Sequence, residues 1–141
     1  MATVKGIPAV LKVYLASATG RHYELEAKEV YLETEDGDLG VLPGHQPEFY
    51  SMGAGFVICK TADGQEFKKL VYAGFAQIEP DVVRVGVQEI YEPGEVDVEA
   101  VKREIDQLKE KLASLSEEEE EARARLEREI RRKEELIRKA Q

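Results

Sequence analysis

The sequence predicts a small all-β domain, a sandwich or barrel, followed by an antiparallel pair of α-helices. Three observations carry that expectation. Before residue 96 the apolar residues recur at every second position in short runs separated by turn signals. After residue 96 the apolar spacing changes to threes and fours. Between the two lies Glu92-Pro93-Gly94-Glu95, where proline and glycine together stop a strand. The expected division is a β domain over 1–95 and a two-helix hairpin over 96–141.

In Val10–Leu15, Leu11, Val13 and Leu15 share one face and Lys12 and Tyr14 the other. Thr19-Gly20 turns the chain. Tyr23–Glu26 and Glu29–Thr34 follow, with Val30 and Leu32 facing together, until Glu35-Asp36-Gly37 breaks the run. The stretch Gly37–His45 then packs three glycines and one proline into nine residues. Glycine permits positive φ and close backbone approach, and proline fixes φ without donating a hydrogen bond. Leu39, Val41 and Leu42 are its expected apolar anchor. Pro47 is expected to leave the following segment at an edge or in a loop. Ala54–Lys60 alternates again, and Asp63-Gly64 is a hairpin dipeptide. Glu66–Leu70 and Val71–Glu79 come next, with Gly74 marking a bulge or a close backbone contact. Pro80-Asp81 turns the chain into a last alternating run, Val82–Val87.

Val98, Val101, Ile105, Leu108, Leu112 and Leu115 form one apolar seam at coiled-coil spacing, with Asp97 as N-cap. Ser116–Glu119 reads as a capping box opening a second helix. That helix carries six Glu-to-basic pairs at i,i+4: Glu119–Arg123, Glu121–Arg125, Glu127–Arg131, Glu129–Lys133, Glu134–Arg138 and Glu135–Lys139. Each is worth ~0.2–0.5 kcal/mol and together they would make it largely self-supporting. Its apolar seam is thin: Leu126, Ile130 and Ile137, with Leu136 alongside and Lys133 interrupting. The short connection at Ser116 makes the helices antiparallel neighbours. A few buried aliphatics at about 1.5–3 kcal/mol each hold such a helix only modestly, so a mobile arm is expected.

Charge and chemistry narrow the function. Residues 1–96 carry fifteen Asp/Glu against eight Lys/Arg, and 97–141 fourteen against twelve. Neither part has the one-signed basic footprint of a nucleic-acid binder. One cysteine, Cys59, excludes an internal disulfide framework and fits a reducing compartment. No apolar run reaches the ~20 residues of a membrane span, and the first residues lack a signal-peptide core. A soluble cytoplasmic protein is expected, reaching any membrane through a protein partner. The chain has no Asn and no Trp, a thermophile-like composition.

No catalytic constellation assembles. His22 and His45 are the only histidines, and Cys59 reads as a small hydrophobe in a strand. Glu35, Asp36 and Asp38 crowd Gly37 without the spacing of a calcium loop, so no metal is expected there; an exposed acidic turn or a partner contact is. Gly53-Ala54-Gly55 lacks phosphate-loop context. The residues point to an interaction subunit, with a free-standing or chaperone-like module carrying a charged helical hairpin as the alternative.

The motif Gly37-Asp38-Leu39-Gly40-Val41-Leu42-Pro43-Gly44-His45-Gln46-Pro47 resembles the signature of the epsilon subunit of bacterial and chloroplast F-type ATP synthases. Gly55-Phe56-Val57-Ile58, the Asp63-Gly64 turn, the run from Val71 to Pro80 and the strand Val82–Val87 are similar to that family's successive strands. The resemblance implies an all-β sandwich of about ten short strands followed by a C-terminal helical antiparallel hairpin. It implies a non-catalytic rotor subunit in the central stalk, on the cytoplasmic side of the membrane and peripheral to it. The sandwich would bind the gamma subunit and rest on the c-ring. Glu35, Asp36, Gly37 and Asp38, with His45, would form the contact loop. The hairpin would restrain ATP hydrolysis by reaching the catalytic alpha/beta head, with Arg123, Arg125, Arg128, Arg131 and Arg132 as contacts. Many bacterial members open the first helix with Ile/Leu-Asp-x-x-Arg-Ala, which contributes to ATP binding. Here the segment is Val96-Asp97-Val98-Glu99-Ala100-Val101, which keeps only Asp97. Without the guanidinium a bidentate phosphate contact is lost, so no cofactor is expected.

Overall fold

The computed structural model describes Gly6 and residues 8–141. Strands β1 (Leu11–Ser17), β2 (His22–Ala27), β3 (Glu29–Thr34), β4 (Gly37–Val41), β5 (Glu48–Lys60), β6 (Glu66–Ile78) and β7 (Val82–Tyr91) precede helices α1 (Val98–Ser114) and α2 (Glu120–Ala140). The strands hydrogen-bond in the order β2-β1-β7-β6-β5-β3-β4. Every neighbouring pair is antiparallel except β1 with β7. The described residues form seven strands because the runs on either side of Val71 are one 13-residue strand, and β5 begins at Glu48 rather than Ala54. Pro47 therefore leaves an edge rather than a loop behind it, since β3 pairs with β5 only from Val57 to Lys60. It stands just outside a strand paired with β6 along its whole length, where its missing N–H costs no ladder bond.

One break in the pairing, with the register unchanged across it, turns this sheet into two layers. The pairs Met52↔Gly74 and Ala54↔Tyr72 leave Gly53 and Ala73 unmatched, and Gly74↔Val87 and Tyr72↔Glu89 leave Gln88 unmatched. Side-chain alternation reverses across that line. Tyr50 and Met52 face the main core before it and Val57 and Cys59 after it; Val83, Val85 and Val87 face it before and Ile90 after. Ala73 adopts φ 59°, the left-handed region that L-residues enter at a cost. Strands β5, β6 and β7 thus each serve both layers. The first layer holds β2 and β1, and the second holds β3 and β4. Gly74 sits at the same corner, where a Cβ would overlap the Gly86 carbonyl oxygen and lie 2.7 Å from Val87 Cα.

The main core between the layers is aliphatic, including Leu11, Leu15, Leu32, Met52 and Ile78. Past the corner, Ala54, Leu70 and Tyr72 face outward and meet Val101 and Ile105 of α1 and Ile130 and Leu136 of α2 in a second core. Burial pushes the Tyr72 phenol up to about 12.

Asp97 caps α1, its carboxylate accepting from Ala100 N–H at 3.0 Å. At the inter-helix turn, the Ser116 N–H donates to the Glu119 carboxylate at 3.0 Å, which is the glutamate half of the expected capping box. The helix itself starts at Glu120. Arg123 donates to the carbonyls of Leu112 and Leu115 at 3.4 and 3.3 Å, satisfying the C-terminus of α1. Of the six expected intrahelical pairs, only Glu135–Lys139 comes within ion-pair range, at 3.8 Å. The cations of α2 turn elsewhere: Arg132 to Glu35, Lys133 to Glu104 and Lys139 to Glu33. Lys133 does not interrupt the seam. Its chain lies along it, with the ammonium 5.1 Å from the Tyr72 ring centroid.

The linker 92–97 is tied to the strands. Glu92 accepts from Tyr23 Oη at 2.5 Å and from Lys69 Nζ at 3.1 Å. Arg21 forms a two-pronged ion pair with Glu95 and donates to the Ile90 carbonyl at 3.1 Å. That guanidinium, with a backbone N–H from Glu92, lowers the Glu95 carboxyl to about 2.

Two outcomes follow from the corner and the linker. Ala73→Gly should stabilise the fold by up to about 1 kcal/mol by relieving the left-handed alanine. Gly74→Ala, one residue on, should cost at least about 2 kcal/mol through overlap with β7; urea unfolding of both variants reads the difference. Folding lowers the Glu95 pKa, so the contribution of its pair is complete above the ordinary value of 4.5 and is lost as pH falls toward about 2. An NMR titration of the Glu95 side chain should show that depressed midpoint in the native chain and an ordinary carboxylate value in Arg21→Gln.

Candidate interaction surfaces

The acidic turn joins β3 to β4. Thr34 Oγ1 accepts from Asp36 N–H at 3.1 Å and donates to the Gly37 carbonyl at 2.6 Å, while Gly37 adopts φ 121°. The Glu35 N–H donates to the Ser51 carbonyl at 3.0 Å, anchoring the turn on β5. Asp36 and Asp38 are exposed. The Glu35 side chain instead reaches α2 and pairs with Arg132.

His45 follows the Pro43-Gly44 turn, which is held by the Gly44 N–H on the Pro80 carbonyl at 2.7 Å. Its Nδ1 lies 2.8 Å from the Gln46 carbonyl oxygen and its Nε2 3.4 Å from Glu48 Oε1. Glu48 in turn raises the Tyr50 phenol by hydrogen bonding, and the charge of Asp36 adds to that rise. Glu48, which sequence reading passes over, is the carboxylate beside His45. Val41 is fully buried as expected, but Leu42 is 59% exposed and anchors nothing.

A second surface is the outer face of the first layer, opposite the helices. Phe49 is 67% and Phe75 43% exposed. Their rings stack at 5.4 Å with an interplanar angle of 14°. Gly86 leaves room for Phe75, whose Cζ would lie 2.8 Å from a Cβ there. Tyr14 and Arg84 continue the face, with the guanidinium 5.9 Å from the ring centroid. The sequence shows only aromatic residues in strands; that their neighbours Tyr50 and Ala76 face the core, and so turn Phe49 and Phe75 outward, is decided by the fold. A solvated face calls for polar residues at such positions.

The third surface is α2. The five arginines do not form one patch. Arg123 serves the inter-helix turn and Arg132 the sheet, while Arg125, Arg128 and Arg131 are exposed. An open cleft of about 540 Å³ between α2 and the β3–β4 hairpin is lined by Arg128, Arg131 and Arg138 and by Glu35 and Asp38, with Arg138 paired to Glu135 on its own helix. Asp97 is engaged as the α1 cap. Cys59 is buried, and burial pushes its thiol up to about 12, which leaves it unreactive at neutral pH. Among the described residues no group of three His, Cys, Asp or Glu side chains is arranged to hold a metal. No described helix is long and apolar enough to cross a membrane.

Residues 10–93 match the ATP synthase delta/epsilon chain β-sandwich domain. The sodium-ion-specific ATP synthase epsilon chain of Propionigenium modestum is 30% identical over 109 residues, covering 77% of this chain and 79% of that one. The ATP synthase epsilon chain of Bacillus subtilis is 32% identical over 106 residues, covering 75% and 80%. The fold superposes on a chain of the cryo-EM structure of the Euglena gracilis mitochondrial ATP synthase with a TM-score of 0.68 at 21% identity, over 96% of this chain and 83% of that one. The family match spans most of the sandwich, and the structural likeness extends through the hairpin. The chain belongs to the delta/epsilon family of F-type ATP synthase subunits, and within it to the epsilon chains of the central stalk.

Proposed function

We propose that this chain is a non-catalytic rotor subunit that links the gamma subunit to the c-ring in proton-gradient-driven ATP synthesis. It works on the cytoplasmic side of the membrane without entering it. The observation that carries this reading is the division of surfaces. The helices cover only the outer face of the second layer. The outer face of the first layer stays open and carries a stacked aromatic pair on β5 and β6. Large exposed aromatics on a rigid strand face are the residues that dominate protein interfaces. In this reading that face binds the gamma subunit. The turn at 35–38, with His45 behind it, meets the c-ring. The hairpin acts on the alpha/beta head to restrain ATP hydrolysis, using the exposed Arg125, Arg128 and Arg131. The first-helix Asp97 caps its own helix, and Ala100 offers no guanidinium, so the hairpin works without a bound nucleotide.

Two measurements check this. Phe49→Ser with Phe75→Ser should weaken binding to a matching gamma subunit at least about tenfold, while thermal unfolding changes little because both rings are exposed. Unchanged affinity would remove the aromatic face from the interface. ATP hydrolysis by a head-and-gamma complex lacking this subunit should be inhibited by the full chain. A version ending at Glu95 should bind without inhibiting. If both bind and neither inhibits, the hairpin is structural and only the rotor role stands.

A further inference from the structure

We infer that the cleft between the linker, the end of α2 and the outer face of β5 and β6 binds a small single-tailed anion, an apolar chain ending in a carboxylate, and that Lys68 holds its head group. The cleft encloses about 320 Å³. At the ~30 Å³ that a water-sized group occupies in a liquid, it has room for about ten non-hydrogen atoms.

The floor is a row of cross-strand partners. Phe56 on β5 lies opposite Leu70 on β6, and Leu70 lies opposite Tyr91 on β7. All three line the cleft, and all three turn outward because they lie past the corner. Leu70 is buried, while Phe56 and Tyr91 stay half-buried and leave ring surface to the cleft. One wall is the linker, at Pro93, Gly94 and Val96, and the other is the last turn of α2, at Lys139 and Ala140. The linker wall is set in advance. Proline fixes φ at position 93, the Glu95 N–H donates to the Glu92 carbonyl at 3.0 Å, and Arg21 holds the Glu95 carboxylate. A preformed, mostly apolar concavity with few polar groups is the usual form of a small-molecule site.

Charge selects the head group. The ionic side chains lining the cleft are Lys68, Glu92 and Lys139. Glu92 is paired with Lys69 at 3.1 Å, and Lys139 with Glu33 at 2.7 Å. Among the described residues Lys68 pairs with no carboxylate; its ammonium lies 4.4 Å from the Phe56 ring centroid. The ring face engages one side of that cation and leaves donors free on the other. The cleft therefore has one uncompensated positive charge, standing over the aromatic end of an apolar floor. A single carboxylate satisfies it. A second negative charge on the ligand would find no partner. Neither Asp97 nor Ala100 lines the cleft, so it is distinct from the place where the first-helix motif would hold a nucleotide.

Octanoate matches the cleft in size and serves as the probe, in an NMR titration of the full chain near neutral pH. It should shift the amides of Phe56, Leu70, Tyr91 and Gly94, with a Kd on the order of 1 mM. Octylammonium, with the same tail and the opposite charge, should bind at least about tenfold more weakly. Lys68→Glu should weaken octanoate binding at least about tenfold and Lys68→Arg should retain it; Lys68 is exposed, so neither replacement disturbs the core. Ala140→Trp, also at an exposed position, should fill the cleft and abolish binding. Equal affinity for the two amphiphiles, or unchanged octanoate binding in Lys68→Glu, would overturn the role of Lys68. Octanoate shifts centred on Phe49 and Phe75, or binding that survives Ala140→Trp, would overturn the site itself.

Discussion

The molecule depends on one line of irregular backbone. Gly53, Ala73 and Gln88 lie unmatched on three adjacent strands, and the facing of every side chain inverts there. A sheet of period two can place one set of residues in only one core. Inverting the period lets the same strands bury Met52 on one side of the corner and Val57 on the other against a single core. It also frees the alternate positions beyond the corner, Ala54, Leu70 and Tyr72, to make a second apolar face. The helices have a platform only because of that inversion. The left-handed conformation of Ala73 and the crowding at Gly74 are what the corner costs.

The same arrangement separates the working surfaces. Helices on one outer face leave the opposite one uncovered, and the β3–β4 hairpin lies at the edge between them. An element at that edge touches α2 with one side chain and solvent with the next, as Glu35 and Asp36 do. Three ion pairs, Arg132–Glu35, Lys133–Glu104 and Lys139–Glu33, thus border the second core on which the hairpin rests. The linker is fixed from the other side by Arg21, Tyr23 and Lys69.

Much of this was legible in the residues. Alternation gave the strands at Leu11–Leu15 and Val30–Leu32, and threes-and-fours spacing gave the seam of α1. Asp97 before Val98 is an N-cap because a short carboxylate there reaches the third N–H of the helix. The acidic turn was recognisable from Glu35-Asp36-Gly37, since only glycine enters φ 121° without strain. The aromatic face was not legible. Phe49 and Tyr50 look alike in sequence, and which of the two points outward depends on where the corner falls. The length of β6 was not legible for a related reason: a change of parity inside a long strand reads as two short ones.

The sequence by itself determined the two-part architecture, the turns, the cap of α1 and, through the motif from Gly37 to Pro47, the family. These depend on local backbone preference and on period, which a linear chain displays directly. The expected cap at Ser116 gives way to Glu119, which has no side-chain cap bond. Only the tertiary structure decided where the charges of α2 go. All of its basic residues but Arg128 have a glutamate three or four positions away, and local rules pair them there. In the fold, Arg132, Lys133 and Lys139 bond across elements instead. Carboxylates on β3, in the turn after it and on α1 meet them in half-buried settings, where an ion pair is screened less than on an open helix surface. No spacing rule reports that preference, because it arises only once the glycines of β5 let the helix approach.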